Sequence, residues 1–210
     1  MKVILKIILA GVVVINSLQL FAQTSVVNTP AQSSAPQHLF IDVHQLTPGK
    51  IKLNDVAQAH AKDLAVEKKY NVQLLKYWVD EKQGLVFCLA SAPDSGSIRK
   101  THAEAHGLMP ERIYPVTGET EVALKSGKKL FLDIHHLGTG VAAKDVAGAH
   151  EKDLAVQKKY GVNLTNYWFD EKQGVVMCLA EANDSASLIK THKEAHGLVP
   201  DRVFEVKQGQ

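Results

Sequence analysis

The same succession of apolar and polar positions runs twice along this chain, about 90 residues apart. In the first pass, HLFIDVH (38–44) alternates as a strand does and is followed by the turn residues Pro48 and Gly49. Asn54 is an N-cap candidate for a helix running to about Tyr70, with Asp55 in its first turn. Val56, Ala59, Val66 and Tyr70 give that helix one inward face. VQLLKYWVD (72–80) and LVFCLAS (85–91) read as two strands joined by the polar turn Glu81–Gly84. Asp94 or Ser95 caps a second helix that reaches His106 and is ended by Gly107. Arg112 to Val116 supplies a last short strand. The order β-α-β-β-α-β predicts a ferredoxin-like unit.

Leu39 to Val116 lies over Leu130 to Val206 with a single-residue gap near Lys50, at roughly 60% identity. The period is too long for a solenoid unit, so each copy is expected to be a domain. Residues 38–117 form the first repeat, 118–129 a polar linker and 130–207 the second repeat. A sheet with helices on one face must cover the other, because an exposed apolar face is costly. Two near-identical sheets on one chain are therefore expected to pack face to face. The predicted architecture is α+β, an intramolecular pseudo-dimeric α+β barrel.

The pattern differs ahead of the first repeat. Lys2 and Lys6 make a short basic region, Ile4 to Phe21 is almost wholly apolar, and Ala22–Gln23 offers a small-residue cleavage point. Residues 1–22 thus read as a secretory signal peptide, and the uncharged Ser/Thr/Pro/Gln-rich stretch 23–37 as a flexible leader. A secreted or periplasmic location follows, with no membrane attachment after cleavage. Net charge is only +2, with lysines interspersed among acids, which argues against a nucleic-acid partner. The two cysteines, Cys88 and Cys178, sit inside apolar strands and read as buried free thiols, although an oxidising destination permits a disulfide. Trp78 and Trp168 read as packing residues with a polar tip.

Ten histidines are what composition alone would not predict. Eight are paired between the repeats: His44 with His135, His60 with His150, His102 with His192, and His106 with His196. The topology gathers each set. His44 ends the first strand, His60 lies early in the descending helix, and His102 and His106 lie late in the ascending one. Four imidazoles from three elements collect at one end of each unit, and the i, i+4 pair shares a helix face. Asp42 shares a strand face with His44, and Asp63 a helix face with His60; Asp133 and Asp153 repeat them. Converging imidazoles and carboxylates are a metal-site pattern, with His44, His60, Asp63, His102, His106, His135, His150, Asp153, His192 and His196 as candidate ligands. Asp42 and Asp133 are placed behind them, each holding a histidine ring. The competing reading is a structural network in which the acids simply satisfy buried histidines.

As a set, Asp42-Val-His44, Ala59-His60 with Asp63-Leu64, Tyr77-Trp78, Cys88-Leu89 and His102 through His106-Gly107 resemble a known family. Its members are small domains whose described representative is a nickel-binding protein with a ferredoxin-like, dimeric α+β barrel fold. The match recurs from Asp133 to Gly197. The resemblance implies nickel, or another borderline divalent ion, bound by a dimer-like barrel; it does not fix the ligands. Imidazole and carboxylate suit zinc and copper as well.

An exported, non-enzymatic divalent-metal protein with two equivalent sites is the first expectation. A metalloenzyme using the same histidines and a metal-free small-molecule barrel are the alternatives. No Ser-His-Asp arrangement, phosphate loop or nucleotide fingerprint is visible, which favours the first.

Overall fold

The computed structural model describes residues 35–210. The signal peptide (1–22) and all but the last three residues of the leader (23–37) lie outside the described residues. In the first repeat the elements are β1 (His38–Gln45), α1 (Leu53–Val66), β2 (Gln73–Asp80), β3 (Leu85–Ala92), α2 (Ser95–Ala105) and β4 (Arg112–Gly118). The second gives β5 (Lys129–His136), α3 (Ala143–Val156), β6 (Asn163–Asp170), β7 (Val175–Ala182), α4 (Ser185–Ala195) and β8 (Arg202–Gly209). The order β-α-β-β-α-β therefore stands in both copies.

Side-chain parity along the strands decides what each face does. In β1 and β3, Ile41, Leu85, Phe87 and Leu89 point to the barrel interior, whereas Phe40, Val86, Cys88 and Ala90 face the helices. Both faces are buried, which is why LVFCLA carries no polar alternation. The interior cluster draws on both repeats, with Ile41, Trp78 and Phe87 beside Leu132, Trp168 and Phe204. The two sheets pack face to face, as two single-layered units must. Their edges also join. β8 pairs with β2, and β4 with β6, closing one antiparallel barrel in the order β1-β3-β2-β8-β5-β7-β6-β4. Closure removes the sheet edges that either repeat alone would expose.

At the two seams, Trp78 and Trp168 meet inside the barrel with ring centroids 5.0 Å apart. Each indole finds a polar partner, Trp78 Nε1–H donating to Gln208 Oε1 at 2.9 Å and Trp168 Nε1–H to the Glu119 carbonyl at 2.9 Å. The linker is docked on the second repeat, its Lys125, Ser126 and Gly127 N–H groups donating to the buried Glu181 carboxylate.

The first helix departs from the sequence expectation. Asn54 is not its cap: the helix begins at Leu53, and Asp55 reaches back so that Oδ2 accepts from Lys52 N–H at 2.9 Å. Asp145 does the same for Ala142. The α-helix stops at Val66, and Glu67–Tyr70 tightens to a 3₁₀ turn before Asn71 turns left-handed at φ 56°. Its inward stripe is Val56, His60 and Asp63; Ala59, Val66 and Tyr70 are only half-buried. The helix thus presents polar groups to the sheet. α2 is capped by Asp94, whose Oδ1 accepts from Ser97 N–H at 2.8 Å, and buries Ile98, Thr101 and His102.

Cys88 and Cys178 are both free and buried. They belong to different helix-side clusters, one in each repeat, so they do not meet across the pseudo-twofold.

Two glycines test the seam. A Cβ at Gly118 would lie 2.5 Å from the Trp168 ring and 2.6 Å from the Tyr167 carbonyl, whereas one at Gly148 on α3 meets nothing within 4 Å. Gly118→Ala is expected to destabilise by ~1–3 kcal/mol through overpacking, and Gly148→Ala to stabilise by ~0.5–1 kcal/mol. Denaturant unfolding midpoints check both; equal effects would mean the seam is not tightly packed.

Candidate metal centre

Three elements build each cluster. Parity in β1 sends Asp42 and His44 to the helix side, where the strand register sets Cys88 directly opposite Asp42. The polar stripe of α1 adds His60 and Asp63, and the last turn of α2 adds His102, with His106 as its C-cap. His44, His60, Asp63, Cys88, His102 and His106 all line one cavity between the helices and the outer face of the sheet. His135, His150, Asp153, Cys178, His192 and His196 line its counterpart, with Asp133 wholly buried against His135 and His192. These side chains thus lie together in each repeat. His136, whose position is Gln45 in the first repeat, lies elsewhere on the surface, 3.0 Å from Asp201.

The side chains form a ladder of alternating acids and imidazoles. His44 Nε2 lies 3.0 Å from Asp42 Oδ1. His102 sits between both acids, Nε2 at 3.4 Å from Asp42 Oδ2 and Nδ1 at 3.0 Å from Asp63 Oδ1. The other Asp63 oxygen faces His106 Nε2 at 3.1 Å. Main-chain Leu108 N–H donates to His106 Nδ1 at 3.0 Å, which makes that nitrogen an acceptor and leaves the proton on Nε2. His106 is therefore set to donate to Asp63, and Asp63 to hold His102. The second repeat reproduces each contact within 0.2 Å. His60 stands apart from the ladder, its ring against Tyr77 at a centroid distance of 4.9 Å.

Burial and pairing oppose each other throughout. Burial alone would push the Asp42 carboxyl up, yet the imidazoles of His102 and His44 beside it carry it down to about 2. Burial would push His102 down, but hydrogen bonds to Asp42 and Asp63 raise it to about 10; His192 rises to about 9 for the same reason. His60 and His150 are lowered, chiefly by burial. The Cys88 thiol is pushed well up by burial and by the charges of Asp42 and Asp63.

One atom is left over in each ladder. Asp42 Oδ1 is fully buried and, among the described residues, has no hydrogen-bond partner, because His44 Nε2 is close but not aligned to donate to it. Asp133 Oδ1 repeats the arrangement. An unpartnered buried carboxylate oxygen is costly, and a cation would satisfy it. Donor atoms of Asp42, His44 and Cys88 lie within 4.8 Å of one another, as do those of Asp133, His135 and His192. The sets Asp63/His102/His106 and Asp153/His192/His196 are equally compact, but their atoms already satisfy one another. An oxygen, imidazole and thiol set fits a borderline divalent ion.

Two features were not anticipated. Cys88 joins the cluster, and the clue was its place opposite Asp42 once the β1–β3 register is drawn. The two cavities also differ, about 90 Å³ in the first repeat and about 310 Å³ in the second. Val141 stands where the first repeat has Ile51, and Ala143 where it has Leu53, which removes bulk from the second cavity's wall.

The raised imidazoles fix the alkaline behaviour of the metal-free protein. A histidine raised in the folded state stabilises fully below its unfolded value near 6.5, and that contribution is lost as pH rises toward 9–10. Lowered His60 and His150 act oppositely below 6.5. The chelator-treated chain is expected to be most stable near pH 6.5 and to lose on the order of a few kcal/mol by pH 10. Thermal melts across this range check it. A His102→Gln/His192→Gln variant with an unchanged alkaline slope would sink the assignment.

Comparison with solved structures finds the Streptomyces coelicolor A3(2) protein SCO4226 at 30% identity, over 39% of this chain and 99% of that one, with a TM-score of 0.37. A chlorite dismutase from Candidatus Nitrospira defluvii in complex with imidazole matches at 8% identity over 84% of this chain and 91% of its own, TM-score 0.46. A heme-binding protein from Thermus thermophilus matches at 14% over 84% and 95%, TM-score 0.42. With TM-scores below 0.5, the barrel rests on its own strand pairing. No curated protein matches the chain. The family model described as nickel responsive protein SCO4226-like matches twice, over residues 40–116 and 131–206, and the chain belongs to that family as a tandem repeat.

Proposed function

We propose that this chain is an exported protein that binds a divalent metal ion of the nickel type at two sites, one in each repeat. The observation that carries the reading is the unpartnered, fully buried Asp42 Oδ1 beside His44, and its repetition at Asp133 beside His135. A purely structural network would be expected to satisfy its own acids, and this one leaves the same oxygen open twice. Asp42 and His44, with Asp133 and His135, would hold the ion. His102 and His192 flank it, and Asp63 with His106, or Asp153 with His196, orients them. The bound ion would supply the positive charge that the open oxygens lack. Nickel is preferred over zinc and copper because the family is nickel-responsive; the imidazole and carboxylate donors alone would accept all three.

The role this reading gives the sites is holding or handing on an ion; a metalloenzyme using the same histidines is the alternative. Export is supported by the basic, apolar and small-residue succession through Ala22. Among the described residues, no helix is long and apolar enough to cross a membrane.

Elemental analysis of untagged full chain loaded with nickel is expected to give two ions per chain. Asp42→Asn should leave one, and Asp42→Asn/Asp133→Asn should weaken both sites at least ~10-fold, while His136→Ala changes nothing. Wild-type protein that takes up neither nickel, zinc nor copper would overturn the reading. For export, the mature chain recovered outside the cytoplasm is expected to begin at Gln23; a cytoplasmic chain still carrying Met1 would refute that part alone.

A further inference from the structure

We infer that Cys88 and Cys178 each supply a thiolate to the metal site of their repeat, so that sulfur joins imidazole and carboxylate around the ion. The inference rests on the metal reading above. Cys88 is the cross-strand neighbour of Asp42, and Cys178 that of Asp133. Both thiols are free, and each lines the histidine cavity of its repeat. Asp42, His44 and Cys88 place one donor atom each within 4.8 Å of the others; in the second repeat the compact set is Asp133, His135 and His192, with Cys178 across the strand pair from Asp133. Independently of the cysteine, Asp42 Oδ1 is fully buried without a hydrogen-bond partner among the described residues, and so is Asp133 Oδ1. The neighbouring thiol stands directly across from the acid in both repeats. A cation between sulfur and oxygen would satisfy both groups at once.

When the ion binds, the S–H bond breaks, its proton passes to solvent, and a sulfur–metal bond forms. No electron is transferred, and the ion keeps its charge. A thiolate donor narrows the ion class to nickel, zinc or copper and disfavours magnesium, calcium and manganese. The bland role of a buried cysteine is to pack as a small apolar group. Packing alone would be served equally by alanine or valine, and gives no reason for a donor atom opposite an open carboxylate in both copies.

The test is an anaerobic nickel titration of the full chain, followed in the near ultraviolet. A sulfur-to-nickel charge-transfer band should grow until two equivalents are bound. Cys88→Ser and Cys178→Ser should each remove about half of it, and the double variant all of it. Nickel content is measured on the same samples. X-ray absorption of the unsubstituted nickel-loaded chain, which depends on no variant folding, should show a sulfur neighbour to the metal. Full nickel content with only nitrogen and oxygen neighbours, or a band that survives the double substitution, overturns the thiolate and leaves the metal reading standing. Wild-type chain without nickel overturns both.

Discussion

Burial of β1 and β3, and of β5 and β7, on both faces is the constraint from which the rest of this molecule follows. One face of each four-stranded sheet must meet the other sheet, and the other face must be roofed by helices. Period-two alternation then divides the chemistry with no further instruction. Ile41, Leu39 and Val43 go inward to the shared core, and Asp42 and His44 go outward under α1 and α2. A polar residue placed on that outer face cannot reach water, so it must find partners there. The acid–imidazole ladder is what such residues build when the roof also carries Asp63, His102 and His106.

A buried ladder of this kind is a poor way to gain stability. Each carboxylate loses its hydration, and its attraction to an imidazole does little more than offset that loss. Apolar residues of similar size would hold α1 and α2 to the sheet at least as well. The ladder is also built with an end that does not close, at Asp42 Oδ1 and Asp133 Oδ1. Main-chain Leu108 and Leu198 fix the other end by setting the proton position on His106 and His196. One terminus is thus rigidly specified and the other left open, as a preorganised ligand site requires.

Most of the fold could be read from residue order because it depends on local signals. The β2–β3 hairpin turn at Glu81–Gly84 and the Asp94 cap act within a few residues, and the repeat shows as plain self-similarity. The convergence of histidines was legible for the same reason, since the up-down course of strand and helix fixes which ends meet. What stayed hidden depends on register and on reach. Asn54 looked like a cap, but Asp55 can bond backward from the third helical position, and residue type alone does not separate the two. Ala59, Val66 and Tyr70 looked inward because they are apolar, whereas packing turned His60 and Asp63 in. Cys88 looked inert until the register of β1 against β3 set it opposite Asp42. Closure of the barrel through β4–β6 and β2–β8 depends on how far each last strand runs, which no local pattern encodes.

The two halves also show how duplication separates donors from access. The ladder contacts agree closely between the repeats, while the surroundings have drifted. In the first repeat, the C-terminal end of β8 runs along β2, with Gly209 against the Tyr77 ring, Gln208 on Trp78 and Gln210 on the buried Lys76. The matching flank of the second repeat has the linker, which crosses at Glu119 and Glu121 and leaves a second cavity of about 300 Å³ beside His150. His60 is accordingly buried and His150 only half-buried. On the metal reading proposed above, matching residues behind unequal walls would give two sites with one ion preference and different ease of access. A tandem chain can make that distinction and a symmetric dimer of identical subunits cannot, because in the dimer both flanks are covered by the same residues.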